Sequence, residues 1–139
     1  MAIIDANDLI LGRFATVVAK RALLGETMDI VNCEKAVITG NKKSILEKYK
    51  VRRARGIPSK GPFYPRRSDM LIRRTIRGML PYKKPKGRDA YKRVKCHIGL
   101  PKELEGKQLE TIDSANVSKV KTLRFVRLES ISKLLGAKQ

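Results

Sequence analysis

The chain has 139 residues, with 32 Lys+Arg against 13 Asp+Glu, a formal net charge of +19. That length suits one domain, and no apolar run approaches the ~18–20 residues that a membrane-spanning helix needs. Met1-Ala2-Ile3-Ile4-Asp5 lacks the basic-then-apolar pattern of a signal peptide, so an uncleaved, soluble, intracellular protein is expected. Cys33 and Cys96 stand far apart with no CxxC, which argues against a disulfide framework or a zinc site; both read as small buried hydrophobes.

Ala2-Ile3-Ile4-Asp5-Ala6 is short, apolar and Ile-rich, as in a buried strand. After the turn-like Asn7-Asp8, apolar residues at 11, 14, 15, 18 and 22 predict a helix, stopped by Gly25. Residues 29–33 and 36–39 read as strands, and 42–50 as a helix with Ile45, Leu46 and Tyr49 on one side. Strand, helix, strand predicts a parallel unit, because parallel neighbours need a crossover, and hence an α/β fold.

Residues 51–67 break the pattern. Gly56, Pro58, Gly61, Pro62 and Pro65 oppose sustained helix or central strand, while six basic residues repel one another. A loop of this length is expected to be functional, or disordered until bound. Ser68 is the expected cap of the next helix, with Asp69 near the positive end of its dipole. At about 100° per residue, Leu71, Ile72, Thr75, Ile76, Met79 and Leu80 share one side and Arg73, Arg74 and Arg77 the other. One face should pack and the other should present cations.

Pro81 ends that helix, and residues 82–88 form a second basic, proline-containing connection. A short helix at 89–94 leads into an extended piece at 95–99. Beyond Pro101 the chain is acidic and poorly periodic, until a strand at 122–126 and a terminal helix at 128–136 with Leu128, Ile131 and Leu135 inward.

The charge is concentrated. Residues 40–95 hold twenty basic residues against three acids, +17, and the rest of the chain carries +2. Such asymmetry predicts a specific polyanion-binding surface with salt-dependent affinity. Enzyme chemistry has little material. His97 is the sole histidine, and on a strand its neighbour Cys96 would point to the opposite face. The Gly40-Asn41-Lys42-Lys43-Ser44 turn lacks P-loop glycine spacing, so a nucleic-acid phosphate fits it better than a nucleotide. No cofactor or metal is expected. An RNA-processing or nucleotide-dependent α/β enzyme is the alternative, with Glu47, Asp69 and Asp89 as the only acids in the segment. A DNA-compacting protein would share the charge.

Several motifs in order carry a resemblance. Ile3-Ile4-Asp5-Ala6, Leu11-Gly12-Arg13-Phe14-Ala15, 30–36, 37–42, Ile76-Arg77-Gly78-Met79-Leu80-Pro81, Gly87-Arg88, Ala90 and Arg93-Val94-Lys95 together resemble the family of universal large-subunit ribosomal protein number thirteen. Arg55-Gly56-Ile57-Pro58 and Gly61-Pro62-Phe63-Tyr64 are similar to its archaeal and eukaryotic branch. The resemblance implies a single three-layer α/β/α domain with a parallel four-stranded sheet. It also implies a structural, non-enzymatic role in the large subunit of the cytoplasmic ribosome, bound to rRNA beside other ribosomal proteins, with no homo-oligomer.

The RNA-binding residues expected are Lys42 and Lys43 in the turn, and Arg52, Arg53, Arg55, Lys60, Phe63, Tyr64, Arg66 and Arg67 in the loop. Arg73, Arg74 and Arg77 on the helix, and Lys83, Lys84, Lys86 and Arg88 in the second connection, complete the set. The aromatics Phe63 and Tyr64 would stack on bases or pack on a neighbouring protein.

Overall fold

The computed structural model describes residues 1–137. In chain order the main elements are β1 (Ala2–Asp5), α1 (Leu11–Leu23), β2 (Met28–Val31), β3 (Val37–Thr39) and α2 (Lys42–Ala54). They continue with α3 (Ser68–Met79), α4 (Pro85–Lys92), β4 (Val94–Cys96), β5 (Phe125–Arg127) and α5 (Leu128–Leu134).

β1, α1 and β2 form the parallel unit that the sequence predicts, with Ile4 opposite Ile30. α1 buries Phe14, Ala15, Val18, Ala19 and Ala22, a stripe of helical spacing. Its end is a Schellman closure around Gly25 at φ 106°: Gly25 N donates to Ala22 O and Glu26 N to Arg21 O, each 3.2 Å. A side chain at that φ would be strained, which is why glycine stops the helix.

The expected four-stranded parallel sheet is not formed. The parallel sheet has three strands, ordered β1-β2-β4, and β3 pairs with β5 in a separate two-stranded antiparallel sheet. The cause is local. Asn32 adopts a left-handed conformation, φ 54°, and the 3-10 turn Cys33–Lys35 follows at once, swinging the chain away from β2. β3 then meets Leu9, whose carbonyl accepts from Val37 N at 2.9 Å, and takes its ladder from the far end of the chain.

One face of the parallel sheet sits in the main core, where Ile4, Met28 and Ile30 join Phe14 and Val18 of α1 and Ile72 and Ile76 of α3. On the opposite face Ile3 and Val31 pack with Leu104 from the 3-10 turn Lys102–Leu104. The acidic stretch beyond Pro101 runs along the free edge of β1. Asp5 N donates to Glu110 O (3.0 Å) and Glu110 N to Ile3 O (2.7 Å), while Arg21 forks Glu26 and Glu110 at 2.6 Å each. That contact covers an edge that would otherwise expose unpaired backbone groups.

Several element boundaries depart from expectation; the strand expected at 122–126 covers only Phe125–Arg127, and the extended piece expected at 95–99 is the strand Val94–Cys96. α2 runs on to Ala54, so helix takes the first turn of the expected loop. α4 starts at Pro85, inside the expected connection, with proline at the position where a missing N–H costs nothing. Ser68 is not a cap: Arg67 occupies that position without a side-chain cap bond, and Ser68 is fully buried in the first turn. Asp69 lies in the first turn as expected and is also paired with Arg67, 2.8 Å between Nη2 and Oδ2. At the other end, Leu128, Ile131 and Leu135 are buried as the terminal pattern predicts.

Candidate nucleic-acid interface

All four tyrosines of the chain lie in the basic segment, and each is stacked by an arginine. Two groups result. In the first, Tyr49 of α2 and Tyr64 of the loop meet edge to face, with ring centroids 6.0 Å apart. Arg74 Cζ lies 4.6 Å from the Tyr64 centroid, and Arg52 Cζ 5.7 Å from that of Tyr49. In the second, Tyr82 and Tyr91 meet at 5.4 Å, with Arg77 over Tyr82 (5.3 Å) and Arg73 over Tyr91 (4.7 Å). The Tyr49 hydroxyl has its pKa pushed up to about 12, chiefly by burial, so the ring is neutral across the physiological range.

These stacks order the loop. Arg53 Nη1 donates to Tyr64 O at 2.8 Å, Arg52 Nη1 to Tyr64 Oη at 3.3 Å, and Arg74 Nη1 to Phe63 O at 3.3 Å. Farther on, Ser132 Oγ of α5 donates to Arg66 O at 2.9 Å. Between them, the 56–61 turn closes through Gly61 N to Ile57 O at 2.8 Å. Gly56 has φ 99°, and a Cβ there would stand 2.4 Å from Gly61 O, so only glycine lets the two strands of this turn meet. The loop is therefore held by its own arginines rather than left structureless.

The predicted residues divide into two sets. Arg52, Arg53, Arg67, Arg73, Arg74 and Arg77 are engaged within the chain as described. Lys42, Lys43, Arg55, Lys60, Arg66, Lys83, Lys84, Lys86 and Arg88 are exposed, and among the described residues their side chains make no hydrogen bond or ion pair. The cationic face expected of α3 is thus a half-buried one. Arg73 Nε is even buried without a partner among the described residues. Truncation of Arg73 to alanine is accordingly expected to lower stability by about 1–2 kcal/mol, through the lost stack on Tyr91 and the lost packing of its stem. Denaturant unfolding measures this; an unchanged midpoint would show that the stack adds nothing to the fold.

The Gly40-Asn41 turn is less open to anions than its sequence implies, because Asn41 Oδ1 accepts from Lys43 N at 3.0 Å and caps α2. Lys42 and Lys43 still project from it. Away from this surface, Cys33 opens the 3-10 turn after β2, its N donating to His97 O at 3.2 Å beside Cys96 at the end of β4; Cys33 is buried, Cys96 half-buried, and both are free. The adjacent Cys96 and burial push the Cys33 thiol up, which disfavours its thiolate. His97 Nε2 lies 3.0 Å from Asp29 Oδ1, a long-range pairing that no local pattern in the sequence announces. Among the described residues no three His, Cys, Asp or Glu side chains converge to hold a metal ion, and no helix is long and apolar enough to cross a membrane.

Comparison with known proteins identifies the family. The sequence model of the family described as "Ribosomal protein L13" matches residues 1–103, which take in β1 to β4 and the whole basic segment. The chain belongs to the ribosomal protein L13 family. Among L13 relatives, the "Large ribosomal subunit protein uL13" of Methanocaldococcus jannaschii is 50% identical over 142 residues, covering 99% of each chain. Its counterpart in Archaeoglobus fulgidus is 47% identical over 135 residues, 96% of this chain and 86% of the relative. That of Haloarcula marismortui is 46% identical over 135 residues, 97% and 90% respectively. These L13 relatives are archaeal, within the archaeal and eukaryotic branch that residues 55–64 indicate. Since these alignments cover nearly the full chain, the sequence similarity extends beyond residue 103 into the C-terminal region.

Proposed function

We propose that this chain is a structural component of the large ribosomal subunit that binds large-subunit rRNA through residues 40–95, beside neighbouring ribosomal proteins and without catalysis of its own. The observation that carries the reading is the set of nine exposed cations with no internal partner among the described residues, gathered on the segment of charge +17. Cations that serve the fold are paired within it; these are left for an external anion. Membership in a family whose archaeal relatives are named as large-subunit proteins supports large-subunit rRNA as that polyanion.

The mechanism is electrostatic clamping on a prepared frame. The tyrosine–arginine stacks hold the loop, α3 and the 81–84 turn together before RNA arrives, so less ordering entropy opposes binding. Lys42, Lys43, Arg55, Lys60, Lys83 and Lys84 then neutralise phosphates and release counterions. Arg52 and Arg77 retain donors on their guanidinium edges for a phosphate while their faces stay on the rings. In gradients of native archaeal-type ribosomes at moderate salt, the protein is expected to travel with the large subunit in one-to-one amount. Recovery in the ribosome-free fraction, with RNA or nucleotide turnover, would favour the enzyme reading instead.

A further inference from the structure

Beside the cationic surface lies a cavity of about 260 Å³ between the loop and α3. Met70, Arg74 and Arg77 form its floor, on the i, i+4, i+7 ridge of α3, and Phe63, Pro65 and Tyr91 stand at its sides. Phe63 is 68% exposed, the most exposed large apolar residue of the basic segment, and Met70 43%. Two facts hold Phe63 outward. Its carbonyl accepts from Arg74, and its ring packs on Gly61, where a Cβ would meet it at 3.1 Å. A large aromatic kept in water at a defined place, beside guanidinium groups, is a fitted surface rather than an accident of an exposed loop.

We infer that this cavity receives a single unstacked nucleobase, held between the Phe63 ring and the Met70–Arg74–Arg77 ridge, with its flanking phosphates on the surrounding cations. The inference rests on the proposed rRNA-binding reading and names the part of the RNA that enters this site. The volume lies just below the ~300–1,000 Å³ of drug-sized pockets and suits one planar ring system. The lining combines an aromatic face, a polarizable thioether and guanidinium donors, which together serve a base's faces and its polar edge. Charge selects the occupant further. An acidic peptide would satisfy the arginines but leave Phe63 in water, and an apolar peptide segment would leave Arg74 and Arg77 without an anion. A nucleotide satisfies both.

The test is binding of the full chain to a transcript of archaeal large-subunit rRNA, with Phe63→Leu, Phe63→Trp and Phe63→Ala compared with the parent protein. Phe63 makes its hydrogen bond through the backbone and is mostly exposed, so none of the three should change the unfolding midpoint. Loss of one stacked base is expected to weaken binding by about 5–150-fold in Phe63→Ala and Phe63→Leu, equivalent to ~1–3 kcal/mol. Phe63→Trp should restore it, and the dependence on salt should not change, since no phosphate contact is removed. Ultraviolet cross-linking of the same complex should join Phe63 to one nucleotide. Tight rRNA binding that is indifferent to Phe63→Ala, or retained by Phe63→Leu, would overturn the base site while leaving the rRNA reading intact. Cross-links from reconstituted particles that join Phe63 to a neighbouring protein would also overturn it. Failure of the parent protein to bind the transcript would overturn both.

Discussion

Replacing Gly87 with alanine is expected to lower stability by about 3 kcal/mol, among the largest effects of a single conservative change in the basic segment. A Cβ at this position would stand 2.2 Å from Pro81 O, 2.4 Å from Pro81 C and 2.9 Å from Tyr82 N. All three are backbone atoms, so no side-chain rotation relieves the contact. The turn they belong to is itself tied, with Lys84 N donating to Pro81 O at 2.9 Å and Gly87 N to Lys84 O at 3.1 Å. Overpacking costs ~1–3 kcal/mol when side chains can yield, and a backbone obstacle belongs at the upper end. In a chain of this size that corresponds to roughly 10 °C in the thermal midpoint. The displacement would be transmitted to Tyr82, and from there to the Arg77 and Tyr91 contacts at 5.3 and 5.4 Å. Calorimetry measures the loss; a shift under about 2 °C would mean the turn and α4 separate easily.

The opposite profile is expected for the exposed cations. Changing Lys42, Lys43, Arg55, Lys60, Lys83 and Lys84 together to glutamine should reduce affinity for large-subunit rRNA by about 10³-fold or more near 0.1 M salt. Each neutralised phosphate contributes roughly 0.7–0.9 to the slope of log K against log salt, so six contacts compound. Stability should hold or rise slightly, because these side chains have no partner among the described residues and their mutual repulsion is removed. Filter binding and thermal unfolding of the same preparation separate the two effects. Intact affinity with a lowered midpoint would assign these residues to the fold.

Local pattern carried much of this molecule. The stripe at 11, 14, 15, 18 and 22 and the glycine after it were enough for α1, and the two-faced run at 68–80 for α3. What lay beyond reach was pairing over distance. Whether β3 joins β2 or β5 turns on the left-handed Asn32 and on a partner nearly ninety residues away, neither of which periodicity encodes. The four-stranded parallel sheet came from resemblance and fails for that reason. The proline at 85 was a legible helix start, read instead as a break. Within the site, residue types pointed to RNA, but the pairing of arginines with tyrosines did not show. Spacing brought Arg73, Arg74 and Arg77 to one face, and only tertiary contact brings Tyr64, Tyr82 and Tyr91 over it.

The central claim is a division of labour in which stacked arginines build the frame and exposed cations take the phosphates. Its most direct test is the slope of log K against log salt for large-subunit rRNA, measured for the parent chain, the six-glutamine variant and a control with Lys20, Lys119 and Lys121 changed to glutamine. The control cations are also exposed but lie outside residues 40–95. The account predicts a slope shallower by about 4–5 in the six-glutamine variant and unchanged in the control. Equal slopes in parent and variant, or a shallower slope in the control alone, would contradict it.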